Sequence, residues 1–177
     1  MRKLKLEELN RINIQEFKEQ EKTPLVIVLD NVRSALNVGS AFRTADAFTL
    51  EKVYLCGITA QPPHREILKT ALGATDSVEW DYHKEIVYLA TKLKEEGYQI
   101  WAVEQAEGRT WLQDFKTVKN QKIALVFGNE VTGVSNEIMA LAHGAIEIPQ
   151  FGTKHSLNVS VSMGIVVWEI FRQHQLD

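Results

Sequence analysis

The chain has 177 residues, 45% of them hydrophobic and 24% charged, which suits one ordinary domain whose core needs no covalent staple. Its single cysteine, Cys56, excludes an internal disulfide framework, and a net charge of −3 argues against coating nucleic acid through bulk charge. Neither a signal peptide nor an apolar run of bilayer length is visible, so a soluble cytoplasmic protein is expected.

Residues 1–23 read as a charged helical extension, with Leu6, Leu9, Ile12 and Phe17 on one face and a basic cluster of Arg2, Lys3, Lys5 and Arg11. After Pro24, Leu25 to Leu29 is a continuous apolar run of the kind found in strands buried on both faces. Ala41, Phe42, Ala45 and Phe48 follow at helical spacing. Val53 to Cys56 is a second strand, and its cysteine reads as a small buried apolar residue. Pro62-Pro63-His64 is a loop, Ile67 to Ala71 a short helix, and Ser77 to Trp80 a strand candidate. Ile86 to Glu96 is a helix closed by Gly97. Tyr98 to Val103 and Ile123 to Phe127 are strands. Ser135 caps a helix running to Ala142. Ala145 to Ile148 is a last strand, before an apolar helix from Gly164 to Phe171. Strands alternating with helices, and apolar throughout, indicate an α/β fold with a mainly parallel sheet, here residues 24–177.

Ligands of such sheets gather at the carboxyl ends of the strands. Three loops there carry short polar side chains beside glycines. Asp30 to Arg43 includes Asn37, which could cap a helix, Gly39, which permits close approach, and Arg43, which can grip a phosphate; taken alone, this loop is better read as a capped helix bearing a surface arginine. Phe127 to Ser135 sets Glu130 between Gly128 and Gly133, where the carboxylate could fix a cation or simply sit in a turn. Ile148 to Ser160 joins a proline-glycine turn to Ser156 and Asn158 at a helix start, a setting that favours anionic groups. Asn158 must be hydrogen-bonded if it is buried. Three such loops in one short chain point to a composite site.

Other chemistries are missing. There is no G-x-G-x-x-G after a strand, no phosphate-binding G-x-x-x-x-G-K-[ST] loop and no G-x-S-x-G elbow. His64, His83, His143, His155 and His174 are scattered without metal-ligand spacing, so no metal is expected.

At the three loops the sequence resembles the SpoU (TrmH-like) family of SPOUT RNA 2′-O-ribose methyltransferases. Asn37, Gly39 and Arg43 match N-x-G-x-x-x-R; Gly128, Glu130 and Gly133 match G-x-E-x-x-G. Ile148 to Val161 follows I-P-M-x-G-x-x-x-S-L-N-V-S-V, with Gln150 in place of the usual methionine, and Ser162 stands where alanine is usual. The resemblance implies a C-terminal deep trefoil knot, a homodimer completing each site, and S-adenosyl-L-methionine as cofactor. It implies that Val103, Glu104, Gly128, Ile148 and Leu157 hold that cofactor. Arg43 would act on the ribose hydroxyl, with Asn37, Glu130, Ser156 and Asn158 ordering the site. An arginine stays protonated in proteins, so orientation of a phosphate and electrostatic activation suit Arg43 better than literal proton abstraction.

The implied substrate is tRNA or rRNA. Glu147-Ile148-Pro149-Gln150 and Trp168-Glu169 resemble eukaryotic tRNA guanosine methylating relatives, favouring tRNA. Lys69 to Ala74 resembles a family loop facing the substrate and, with His64 and Arg65, marks a candidate RNA edge. A non-catalytic RNA-binding module and a small-molecule methyltransferase on the same scaffold are the competing readings.

Overall fold

Leu25 to Leu29 can be apolar at every position because both of its faces are covered. In a computed structural model, which describes residues 1–176 apart from the side chain of Leu6, this run lies in β1 (Thr23–Asp30). The other strands are β2 (Leu50–Cys56), β3 (Trp80–His83), β4 (Gln99–Val103), β5 (Thr110–Trp111), β6 (Ile123–Phe127) and β7 (Gly144–Glu147). They form one sheet in the order β3-β2-β1-β6-β4-β7-β5, and every neighbouring pair is parallel. Leu25, Ile27 and Leu29 point to one core with Leu125 and Phe127, whereas Val26 and Val28 point to another with Ala124 and Val126.

The first core is closed by α2 (Ala35–Ala47), α3 (Arg65–Ala71) and α7 (Val159–Gln175), through Phe42, Ala45, Ile67, Val166 and Ile170. The second is closed by α5 (Ile86–Glu95) and α6 (Asn136–Leu141), through Leu89, Leu93 and Ile138. Gly97, at φ +89°, ends α5 as expected. Cys56 is fully buried, and burial, helped by the nearby Asp30 charge, pushes its thiol up to about 12, the behaviour of an inert core residue.

Several expectations are corrected. Residues 1–23 hold no continuous amphipathic helix: a 3-10 turn at Leu6–Leu9 precedes α1 (Ile14–Glu19), and Leu9 and Ile12 are exposed. Phe17 is anchored, joining the first core with the Lys22 ammonium over its ring. Helix α2 begins earlier than Asn37, because Ser34 takes the N-cap and accepts from the Asn37 amide at 3.4 Å. Ser77 to Trp80 is not a strand: Ala74–Ser77 forms the short helix α4, where the Ser77 hydroxyl donates to Asp46 at 2.6 Å, and β3 starts only at Trp80. The two-residue β5 gave no periodic signal. The final helix starts at Val159 rather than Gly164, and its Val166, Val167 and Ile170 face the chain's own core.

Gly39 does permit a close approach, but the approaching element is α3. A Cβ at this position would lie 2.4 Å from the Ile67 carbonyl oxygen and 2.0 Å from the Thr70 hydroxyl. Thr70 in turn donates to the Leu36 carbonyl at 2.9 Å, tying the two helices together. Gly39→Ala should therefore force α2 and α3 apart and lower stability by roughly 1–3 kcal/mol, read as a drop in the urea midpoint.

Candidate active site

The switch between the two halves of the sheet lies between β1 and β6, and the loops leaving these strands meet there. Glu130 joins them. Its carboxylate accepts from the amides of Arg33 (2.8 Å) and Ser34 (3.0 Å) and from the side-chain amide of Asn37 (3.0 Å). Asn37 is buried, and this carboxylate satisfies its carboxamide. Burial pushes the Glu130 carboxyl upward, but the hydrogen bonds from Arg33, from its own amide, from Ser34 and from Asn37 together outweigh it and hold the group below the usual range. Glu130 thus fixes backbone amides at the start of α2, not a guanidinium.

Two further polar contacts fasten the same loops. Buried Asp30, ending β1, accepts from the Ser135 amide at 2.8 Å, and Asn129 donates to the Asn31 carbonyl at 2.8 Å. Ser135 occupies the N-cap position of α6, as expected, yet its side chain makes no capping bond. The glycines around Glu130 have distinct tasks. A Cβ on Gly128 would lie 2.1 Å from the backbone of Gly133 and Val134, so these chain segments are in direct contact. Gly133, at φ +70°, leaves room for Glu104: a Cβ there would lie 2.2 Å from the carboxylate, which instead accepts from the Val134 amide at 3.0 Å.

Above the carboxyl ends of β4, β6 and β7 opens a cleft of about 780 Å³. Val103, Glu104, Gly128, Glu130, Ile148, Ser156, Leu157 and Asn158 all line it, so eight of the ten residues expected at the site share one cavity. Asn37 reaches it through Glu130. Arg43 does not line it. That residue is exposed in a separate hollow of about 420 Å³, with Ser40 on its own face of α2 and with Lys69 and Thr70 of α3. Asn158 is no buried amide: it is the exposed N-cap of α7, its carboxamide oxygen accepting from the Ser160 amide (2.9 Å) and hydroxyl (2.6 Å). Such a cleft has the size of a small-molecule site, with an apolar floor of Val103, Phe127 and Ile146 and three carboxylates in its lining: Glu104, Glu130 and Glu147, the last paired with Arg109. That donor set fits a nucleoside carrying a polar, cationic tail.

Sequence reasoning missed Asp30, Asn31, Asn129 and Gln105. The first two had a usable signal, since polar residues directly after a buried strand need partners; Gln105, which donates to the His155 carbonyl at 2.7 Å, had none.

Replacing Glu130 with Gln should loosen the start of α2. Because Glu130 stays open to solvent, its interactions are screened, and the loss at neutral pH should be on the order of 1 kcal/mol. A carboxyl held low in the folded state stabilises above its unfolded value and ceases to do so as pH falls through the native one. The wild-type advantage over Glu130→Gln, measured by urea denaturation, should therefore shrink with acidification.

Comparison with known proteins agrees with this geometry. The SpoU rRNA Methylase family matches residues 24–168. The tRNA (guanosine(18)-2′-O)-methyltransferase of Thermus thermophilus is 33% identical over 167 residues, spanning 94% of this chain and 84% of that protein. The enzyme of the same name from Aquifex aeolicus is 34% identical, spanning 92% and 75%. Among solved structures, the A. aeolicus TrmH/SpoU tRNA modifying enzyme aligns with a TM-score of 0.80 at 29% identity, covering 90% of this chain and 80% of that one. The AdoMet-bound rRNA methyltransferase from Sinorhizobium meliloti aligns at 0.79 and 27%, covering 93% and 61%. Family match, sequence identity to these relatives and the common fold lead to one conclusion: this chain belongs to the SpoU rRNA methylase family.

Proposed function

We propose that the chain is an S-adenosylmethionine-dependent methyltransferase acting on a ribose 2′-hydroxyl in RNA, with a tRNA guanosine as the favoured target. The observation that carries this reading is the convergence of Gly128, Ile148 and Leu157 on one cleft, beside the Glu130 carboxylate that orders the Arg43 helix. Relatives named as tRNA guanosine-18 methyltransferases, spanning most of their own length, support tRNA over rRNA.

When bound, S-adenosylmethionine supplies an electrophilic methyl group on a sulfonium sulfur. Val103, Gly128, Ile148 and Leu157 would hold its nucleoside, and Glu104 lies near enough to the cleft to meet a positive tail. The Glu104 and Glu130 carboxylates, neither of them ion-paired among the described residues, also favour a cation in the cleft. Ser156 and Asn158 order the third loop where it enters α7. Arg43 binds the phosphate next to the target ribose and stabilises negative charge developing on the 2′-oxygen, and the departing proton passes to phosphate or water. Lys69, Arg65 and His64 extend this positive edge along the RNA. Residues 1–23 are an extension, and the domain from residue 24 is wound into the trefoil knot of the family.

Arg43 and the cleft belong to separate cavities of one protomer, and this separation supports a homodimer in which the partner's Arg43 completes each site. Helix α7 offers the surface: Val161, Ile165 and Trp168 are 49%, 38% and 46% exposed and form one apolar stripe along it. These residues, rather than the core-facing Val166, Val167 and Ile170, carry the pairing. No helix among the described residues is long and apolar enough to cross a membrane, and none of their acidic, His and Cys side chains group as a metal site.

Incubation with labelled S-adenosylmethionine and total cellular RNA, followed by nuclease mapping, tests the reading. A 2′-O-methylated nucleotide is expected; label in small molecules only, or none, would favour the competing readings. Arg43→Ala should lower kcat by about a hundredfold or more and shift the rise of rate with pH upward, Arg43→Lys less so; near-normal turnover in Arg43→Ala would remove its role. In equilibrium sedimentation the wild type should be a dimer and Ile165→Asp a folded monomer without methylating activity.

A further inference from the structure

Beside the cofactor cleft lies another hollow, of about 490 Å³, at the β5–β7 edge of the sheet. The two cavities share Gln105, Glu147, Gln150 and His155. Two aromatic rings line the second hollow, and they are presented differently. Trp111 is fixed: β5 pairs it with Glu147, the Arg109 guanidinium lies 4.3 Å from its ring centroid, and the Arg109 Nε donates to Glu147 at 3.0 Å. Phe151 is 98% exposed on the loop after Pro149, where it contributes nothing to either core. An apolar ring left in solvent beside a small-molecule cleft has no packing reason to be there. Around these rings, the side chains of Gln113, Gln150 and Lys154 have no hydrogen bond or ion pair among the described residues.

We propose that this hollow stacks one nucleobase of the substrate RNA adjacent to the ribose being methylated. Proteins read unpaired RNA by stacking bases on aromatic rings and bonding their edges with side-chain amides, while cations meet the backbone phosphates. Trp111 and Phe151 supply the rings, Gln113 and Gln150 unpartnered amides, and Lys154 the cation. Arg109 holds Trp111 in place before the base arrives, which lowers the ordering cost of binding. The shared wall with the cofactor cleft sets the stacked base within one nucleotide's reach of the methyl donor. A protein partner is the poorer fit, since the hollow is small and its rim is rich in amides and charge.

The inference rests on the RNA methyltransferase reading, and the test separates the two. Steady-state methylation of an unmodified tRNA transcript is measured for full-length wild type, Trp111→Ala and Phe151→Ala, with S-adenosylmethionine affinity by calorimetry and mass by sedimentation. Each variant should raise KM for the transcript about tenfold or more, the loss of one base–aromatic stack, leaving kcat, cofactor affinity and dimer mass little changed. Phe151→Ala is decisive because so exposed a ring cannot be needed for folding. An unchanged KM in that variant, beside an active wild type, would overturn the inference. Weakened cofactor binding would assign the hollow to the cofactor, and dissociation into monomers would assign it to an interface between copies; either also overturns it. A wild type inert on RNA would instead refute the function proposed above.

Discussion

The carboxylate of Glu130 bonds to the amides of Arg33 and Ser34, nearly a hundred positions away in sequence, and much of the site's geometry depends on that clasp. Two loops at the ends of β1 and β6 would otherwise be free to part, because parallel strands give their connecting loops no hydrogen bonds. The clasp supplies an acceptor for donors that the first turn of α2 cannot satisfy internally. It also positions the helix that carries Arg43 more than two turns further on. Asp30 with the Ser135 amide, and Asn129 with the Asn31 carbonyl, repeat the same solution from the other side. Charge on a short side chain, aimed at backbone, fixes a loop more firmly than a long salt bridge at the surface would.

Space is as decisive as charge. Gly128 and Gly133 let two stretches of backbone touch, and the absent side chain on Gly133 is what admits the Glu104 carboxylate to the Val134 amide. Gly39 does the same for α2 against α3. In each case the glycine is a packing requirement whose effect reaches the cleft or the Arg43 hollow through rigid elements. The third loop, 150–158, is different: its side chains are mostly exposed, and it is held through the Asn158 cap and the Gln105 bond to the His155 carbonyl. A rigid floor with one exposed wall suits a site that must admit both a small cofactor and a long RNA.

The division of the site between two cavities links stability to assembly. Each protomer folds around its own two cores, yet leaves Val161, Ile165 and Trp168 uncovered on α7. In the proposed dimer, burying that stripe and bringing Arg43 of the partner subunit to the cleft are one event, so the enzyme is complete only when paired.

The sequence by itself determined the layered α/β class, since short apolar runs alternating with helical patterns suit strands covered on both faces, and it determined the three polar loops, since Gly, Asn and Glu at strand ends carry local constraints. It also placed Gly97, whose φ +89° is a local matter. What it misjudged were elements decided by distant partners. Asn37 looked like a cap until Ser34 took that place and Glu130 took its amide. The segment Ser77 to Trp80 and the two-residue β5 lack the length for periodicity to speak. The order β3-β2-β1-β6-β4-β7-β5, which seats a late strand between two earlier ones, was decided by tertiary structure alone. Strand neighbours are chosen by how whole faces pack and how loops clasp, and no window of local sequence carries that sum.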